Sequence, residues 1–460
     1  MEEQKAQILN GDLRKLLFKF SLPAITGMVI IALYNFVDTL FVGRGVGPLA
    51  IAGLTVVLPV MIFMISHWAA YPGRRCLYCF QRSLGKGDSG TAKVAAGNSI
   101  TLNLLFNIPV IIIFWLSMDW ILSFLGASAD VLPYARDYLQ IILIGFVFYT
   151  FSINGNNLIR AEGKPRASMY AMLIGALLNI ILDPIFIFVF HMGVRGAAIA
   201  TVISQAVSCI YIYGFFLSKQ SIFHLHINKF RLNLKISREV LSLGTPSFLM
   251  EIIGSIMFML FIKAVQRYGG DDYIAITGIG IRIIDLIFMP IVGISHGFSP
   301  IVGFNYGAEL FLRVKKTLKE ALLWTIIIAS LGLLLMVIFP EFLLGIFTDD
   351  PEIIRKGIIP LRLIAILSPV WSFPILGSAF FQAIGKSKPA LFITLSRDLL
   401  FFIPALIFLP MLLGLTGIWL SWLATDLFSF LISILLLRQE IKIINAQLLP
   451  DFKKNKQEAV

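Results

Sequence analysis

Charge is scarce in this chain. Asp, Glu, Lys and Arg make up 14% of its 460 residues, against about 25% in a soluble protein of that size. Fifty-eight per cent of the residues are hydrophobic and the mean hydropathy is +0.87. That balance excludes a water-soluble enzyme and leaves a polytopic membrane protein. Histidine is also rare: five scattered residues do not supply the paired ligands of a membrane-embedded metalloenzyme. The three cysteines are Cys76, Cys79 and Cys209. One lone CxxC without a second pair is too little for a zinc site or a disulfide framework. No catalytic residue and no cofactor is therefore expected. The net charge of +12 does not imply nucleic-acid binding, because the basic residues sit in short connections between apolar runs. The N-terminus carries Glu2, Glu3 and Lys5 before an apolar run long enough to span, which reads as a membrane helix and not as a cleaved signal.

Twelve apolar runs of spanning length are present, near 14–43, 48–70, 91–117, 132–154, 167–190, 194–218, 238–266, 272–298, 318–340, 358–380, 390–412 and 415–437. Every second connection is rich in Lys and Arg, among them Arg74, Arg75, Arg82 and Lys86, then Arg160, Lys164 and Arg166, then Arg313, Lys315, Lys316 and Lys319. By the positive-inside rule these segments and both termini are cytoplasmic. The expected organisation is a six-helix lobe over 1–218, a cytoplasmic linker over 219–237, a second six-helix lobe over 238–440 and a cytoplasmic tail over 441–460.

The halves repeat. An offset of 222 or 223 residues places Pro23 on Pro246, Gly85 on Gly307, Leu139 on Leu361, and Ala161-Glu162-Gly163-Lys164 on Ala383-Ile384-Gly385-Lys386. An even number of helices per copy makes the repeats parallel, about an axis along the membrane normal, with a cavity between the lobes.

The polar residues inside the spans break that symmetry. Asp183, Asn179 and Asp38 fall opposite Ala405, Phe401 and Phe261, so only the first lobe keeps the acids; a scaffolding role would require them in both. Asn179 and Asp183 are four residues apart on one helix face, and Pro184 removes a backbone donor there, predicting a kink. An ionisable group at that depth is a functional-site candidate. Asp38 lies late in the first span at a comparable depth, with Tyr34 one turn before it. Two carboxylates in a low-dielectric site do not both ionise cheaply, so the pair can exchange a proton; with Asn179 the same oxygens can hold Na+, a hard cation. Thr201 in the sixth span adds a hydroxyl, unless it only bonds its own helix. Glu251 is a second-lobe acid that faces either a cavity or a cationic partner. Asn98, Asn103 and Asn107 read as interhelical hydrogen-bonding groups, and Arg282–Asp285 and Arg397–Asp398 as internal ion pairs. Asp426 receives no assignment from sequence. Among the many Phe and Met residues, a cavity-lining subset would suit aromatic cations.

These residues resemble the multidrug and toxic compound extrusion (MATE) transporters. The likeness rests on Asp38 in the first helix, Asn179-x-x-x-Asp183-Pro184 in the fifth and Thr201 in the sixth. The runs Val37 to Gly43, Gly45 to Gly53 and Pro300 to Ala308 are similar to the MepA-type bacterial branch. The resemblance covers nearly the whole chain. It implies an all-α, V-shaped antiporter with twelve transmembrane helices, monomeric in the bacterial plasma membrane. It would export bulky, often cationic drugs against H+ or Na+, with Asp38, Asn179, Asp183 and Thr201 as the cation site and Tyr34 and Glu251 as auxiliaries. Glu251 matches an acid of the NorM-type branch whose tenth-helix companion is missing here. A lipid-linked oligosaccharide flippase of the same superfamily is the alternative, but its pyrophosphate needs a strongly basic lumen, and Arg282, Arg362 and Arg397 are few. The stretch His67 to Arg82 departs from the small-residue pattern of the family and reads as a local frame error in the gene sequence or a variant loop.

Overall fold

The computed structural model describes residues 9, 11–68, 101, 105, 107–161, 164–218, 221 and 234–457. The passage 69–100, which holds Cys76, Cys79, Asn98 and most of the anomalous 67–82 stretch, lies outside them, as do Asn103 and most of the expected linker at 219–237. Among the described residues every regular element is helical. Among the described residues, eight helices are long and apolar enough to cross a membrane, or up to ten if each of two bent pairs is one span. That suits a chain whose backbone must satisfy its own polar groups in lipid, and the protein is an all-α, multi-pass membrane protein of the twelve-helix type expected.

In chain order, α1 runs Leu13–Gly45, α2 Pro48–Trp68, α3 Asn107–Leu116, α4 Met118–Leu125, α5 Leu132–Ala161, α6 Pro165–Pro184 and α7 Gly193–Leu217. Then follow α8 Leu234–Gly307, α9 Phe311–Ile338, α10 Pro340–Phe347, α11 Pro351–Ala365, α12 Ser372–Ala383, α13 Ser387–Leu395, α14 Ile403–Leu413 and α15 Leu415–Gln457. The seventh and eighth expected spans form one helical run, α8, broken at Gly270, where φ is 72° and ψ −165°. Only glycine adopts that backbone without strain. The expected tenth span is bent by 43° between α11 and α12.

By contacts the chain divides into two compact units, one of Leu33–Ile279 with Leu344–Lys356, the other of Met1–Ala32, Gly280–Leu343 and Gly357–Val460. In the first unit α5 packs along α7 and α2, and α6 lies on α7. The α5–α7 approach is close because Gly145 faces Val202: a Cβ there would lie 2.3 Å from Val202 Cγ2. From Gly196 to Ser208 the buried face of α7 is small and weakly polar (Ala197, Ala198, Ala200, Thr201, Ser204, Ser208), the residue types that let membrane helices approach one another. In the second unit α14 packs on α15 and α12 on α13, around a core that includes Leu17, Phe298, Leu318, Phe380 and Leu437.

The kink expected at Pro184 takes a specific form. Helix α6 ends there, and Ile185–Val189 continues as a π-helical turn, closed by Phe190 N–H donating to Ile185 O at 3.0 Å. Proline leaves the preceding turn short of a donor, and a π turn re-registers the ladder; such turns recur at functional sites.

Candidate functional site

The α6 spacing behaves as the sequence requires. Asn179 and Asp183 are both fully buried, one turn apart, and Asn179 Nδ2 donates to Asp183 Oδ1 at 3.1 Å. The same amide donates to Thr201 Oγ1 at 3.3 Å, which ties α6 to α7. From α1, Asp38 is 4% exposed and close enough to Asp183 for the two carboxyls to interact electrostatically. The Tyr34 hydroxyl hydrogen-bonds Thr201 and lies within electrostatic reach of Asp38, Asp183 and Tyr149. The structure thus brings Tyr34, Asp38, Asn179, Asp183 and Thr201 together within one compact unit. Thr201 faces this cluster, beyond any bond to its own helix.

Two oxygens, Asn179 Oδ1 and Asp183 Oδ2, are buried with no hydrogen-bond partner among the described residues. A buried acceptor left unsatisfied is costly, and an acceptor set of carboxylate, amide and hydroxyl oxygens is suited to a proton or a small hard cation. Tyr149, which sequence reasoning did not single out, lies within electrostatic reach of Tyr34. It stands on α5, the helix packed along α7, and no local spacing links it to the acids.

Glu251 lies on α8, and its side chain is outside the described residues. Pro184 closes α6 directly after Asp183. The other polar expectations have clear partners. Asn107 Nδ2 donates to Thr150 Oγ1 of α5 at 3.2 Å. Arg282 and Asp285 approach to 4.0 Å, and Arg397 and Asp398 to 3.9 Å. Asp426, unassigned from sequence, accepts from Trp371 Nε1 at 2.7 Å and from Arg397 at 3.4 Å.

Fold and site together define a multi-pass membrane transporter with a buried pair of acids in its first half. The MatE family model matches this chain twice, over residues 23–185 and 246–407. The two matches begin at Pro23 and Pro246, the pair that the internal repeat aligns. The chain belongs to this family. Among its relatives is the multidrug export protein MepA of Staphylococcus haemolyticus, 26% identical over 431 residues, covering 94% of each chain. Among solved structures, an inward-facing multidrug resistance MATE family transporter of the MOP superfamily superposes with a TM-score of 0.83 at 27% identity, covering 90% of this chain and 95% of the other. The MATE multidrug transporter DinF-BH gives 0.77 at 35% identity, covering 92% and 95%.

Proposed function

We propose that this protein is a secondary antiporter that exports bulky, often cationic organic compounds in exchange for H+ or Na+ taken up at the Asp38–Asp183 cluster. The observation that carries the reading is the burial of two interacting carboxyls beside unpartnered oxygens of Asn179 and Asp183, in a member of a transporter family. Loaded with a cation, the cluster is electrically compensated; empty, it holds uncompensated charge in low dielectric, which is costly. A conformational equilibrium that opens the site to opposite sides is biased by this difference, since a ligand shifts populations by its differential affinity for the states. Asp38 and Asp183 hold the ion, Asn179 and Thr201 orient the oxygens, and Tyr34 closes the cluster. A relative named as a multidrug export protein supports such a cargo, and the abundant Phe and Met side chains suit aromatic cations. In this reading the protein is a monomer in the bacterial plasma membrane, and the basic connections support cytoplasmic placement of both termini.

The test is Asp183→Asn in everted vesicles carrying an imposed pH or sodium gradient. Gradient-driven accumulation of a fluorescent cationic dye inside the everted vesicles is lost while membrane insertion is unchanged. Dye transport that persists at the wild-type rate removes the coupling role.

A further inference from the structure

The outer end of α1 is held from two sides. On one side, Gly45 packs on the π turn that follows Pro184, where a Cβ would lie 2.4 Å from Ile187 Cγ2, and Phe41 meets Phe188 edge-on at 5.9 Å. On the other side stands the end of α10, more than 300 residues away in sequence. The Arg44 guanidinium donates Nε–H to Ile346 O at 2.9 Å. It also donates to Gly345 O and to both carboxylate oxygens of Asp349. Phe36 rests edge-on against Phe347 at 4.6 Å. Gly43 lies so close to the Phe347 carbonyl that a Cβ would sit 2.3 Å from its oxygen. Phe347 itself is fully buried. All of these residues belong to one compact unit.

An exposed ion pair alone contributes little, and Asp349 is 80% exposed. The rest of the clasp is of another kind. The carbonyls of Gly345 and Ile346 lie in the last turn of α10, where helix acceptors lack intrahelical partners. A cation there is favoured by the helix dipole, and the planar guanidinium fork serves two carbonyls and both oxygens of a carboxylate in one fixed geometry. The contacts at Phe36, Gly43 and Arg44 bracket Asp38. Six residues separate Asp38 from Arg44, about 9 Å at 1.5 Å per residue, so a rigid helix carries any displacement of the clasp to the carboxyl.

We infer that Arg44 is a positioning residue of the cation site: by clasping Gly345, Ile346 and Asp349 it fixes the outer end of α1 and with it the distance of Asp38 from Asp183. This rests on those acids being the coupling site. The end of α10 and Asp349 just beyond it, from the second half of the sequence, thereby set the ion affinity of a cluster built wholly from the first half.

The test uses the full-length protein in liposomes, measuring initial dye efflux against pH and against sodium, with dye KM determined separately. Arg44→Glu and Asp349→Arg each displace the ion concentration for half-maximal efflux by about fivefold or more, the low end of coupling between sites. Dye KM stays unchanged, and the charge-swapped double variant stays displaced, because a carboxylate at position 44 has no donor for the Gly345 and Ile346 carbonyls. Arg44→Lys, a point donor without the fork, shows an intermediate displacement. Should Arg44→Glu fail to insert, Arg44→Ala, which removes every donor of the clasp without adding charge, carries the same measurement. Single variants with wild-type ion dependence, or variants that change dye KM and ion dependence equally, overturn the inference. Asp183→Asn is run alongside: if it retains gradient-driven efflux, the cation-site reading fails and the positioning role falls with it. If it loses efflux while Arg44→Glu keeps the wild-type ion dependence, only the positioning role fails.

Discussion

Replacing Asn179 by Ala probes the cluster without touching either acid. The amide is buried and its Nδ2 serves both Asp183 Oδ1 at 3.1 Å and Thr201 Oγ1 at 3.3 Å. Its Oδ1 is one of the two buried unpartnered oxygens of α6 in the cluster. The variant therefore removes the donor that orients Asp183, the tie between α6 and α7, and one candidate ligand of the ion. A hydrogen bond to a charged group contributes about 1.5–3 kcal/mol, and each 1.4 kcal/mol is a factor of about ten in affinity. The ion dependence of efflux should therefore move by roughly ten- to hundredfold. Under a fixed modest gradient, efflux falls accordingly, whereas at a saturating gradient much of it returns. Initial rates of dye efflux from vesicles, titrated against sodium at constant pH and against pH at constant sodium, measure the displacement and identify the ion. Protein level and monodispersity in detergent separate this from misfolding. A correctly inserted Asn179→Ala protein with wild-type titrations in both ions would falsify the assignment of Asn179 to the site.

Further substitutions test the scaffold. Gly293 and Gly297 on α8 face Ile25 and Ser21 on α1, and a Cβ at Gly297 would lie 2.3–2.6 Å from Ser21 Oγ, N and Cα. Gly297→Ala overpacks this contact at a cost of about 1–3 kcal/mol, read as a lowered melting temperature in detergent. Gly307→Ala, whose added Cβ meets no atom of the described residues within 4 Å, leaves stability unchanged, and equal behaviour of the two refutes the close approach. Asp426→Leu leaves the buried Trp371 Nε1–H without its acceptor, costing about 1–3 kcal/mol, and removes one partner of Arg397. The double variant with Arg397→Met recovers the share lost through the unpaired Arg397, not the share lost at Trp371, because an apolar pair of similar volume can replace an ionic one; a double variant less stable than either single one contradicts the pairing.

What sequence alone determines here follows from two local rules. Lipid has no water to solvate a backbone, so span-length apolar runs have to be helices, and the helical period puts Asn179 and Asp183 on one face whatever lies around them. The recurrence of Pro23 at Pro246 likewise needs no coordinates, and the two matches of the family model begin at those residues. Long-range pairing is different, because nothing in the spacing of α1, α5, α6 and α7 records which faces meet. Asp38 and Thr201 were placed beside Asp183 by depth and resemblance, whereas packing brought Tyr149 within reach of Tyr34. Asp426 was unreadable because its partners, Trp371 and Arg397, are 55 and 29 residues away. Arg44 stood in the sequence as one charge in a basic-poor connection; its partners lie some 300 residues on, and no periodicity reaches that far. The code of the chain specifies helices and their faces within a few turns, and tertiary packing selects which distant carbonyl, carboxylate or ring each face encounters.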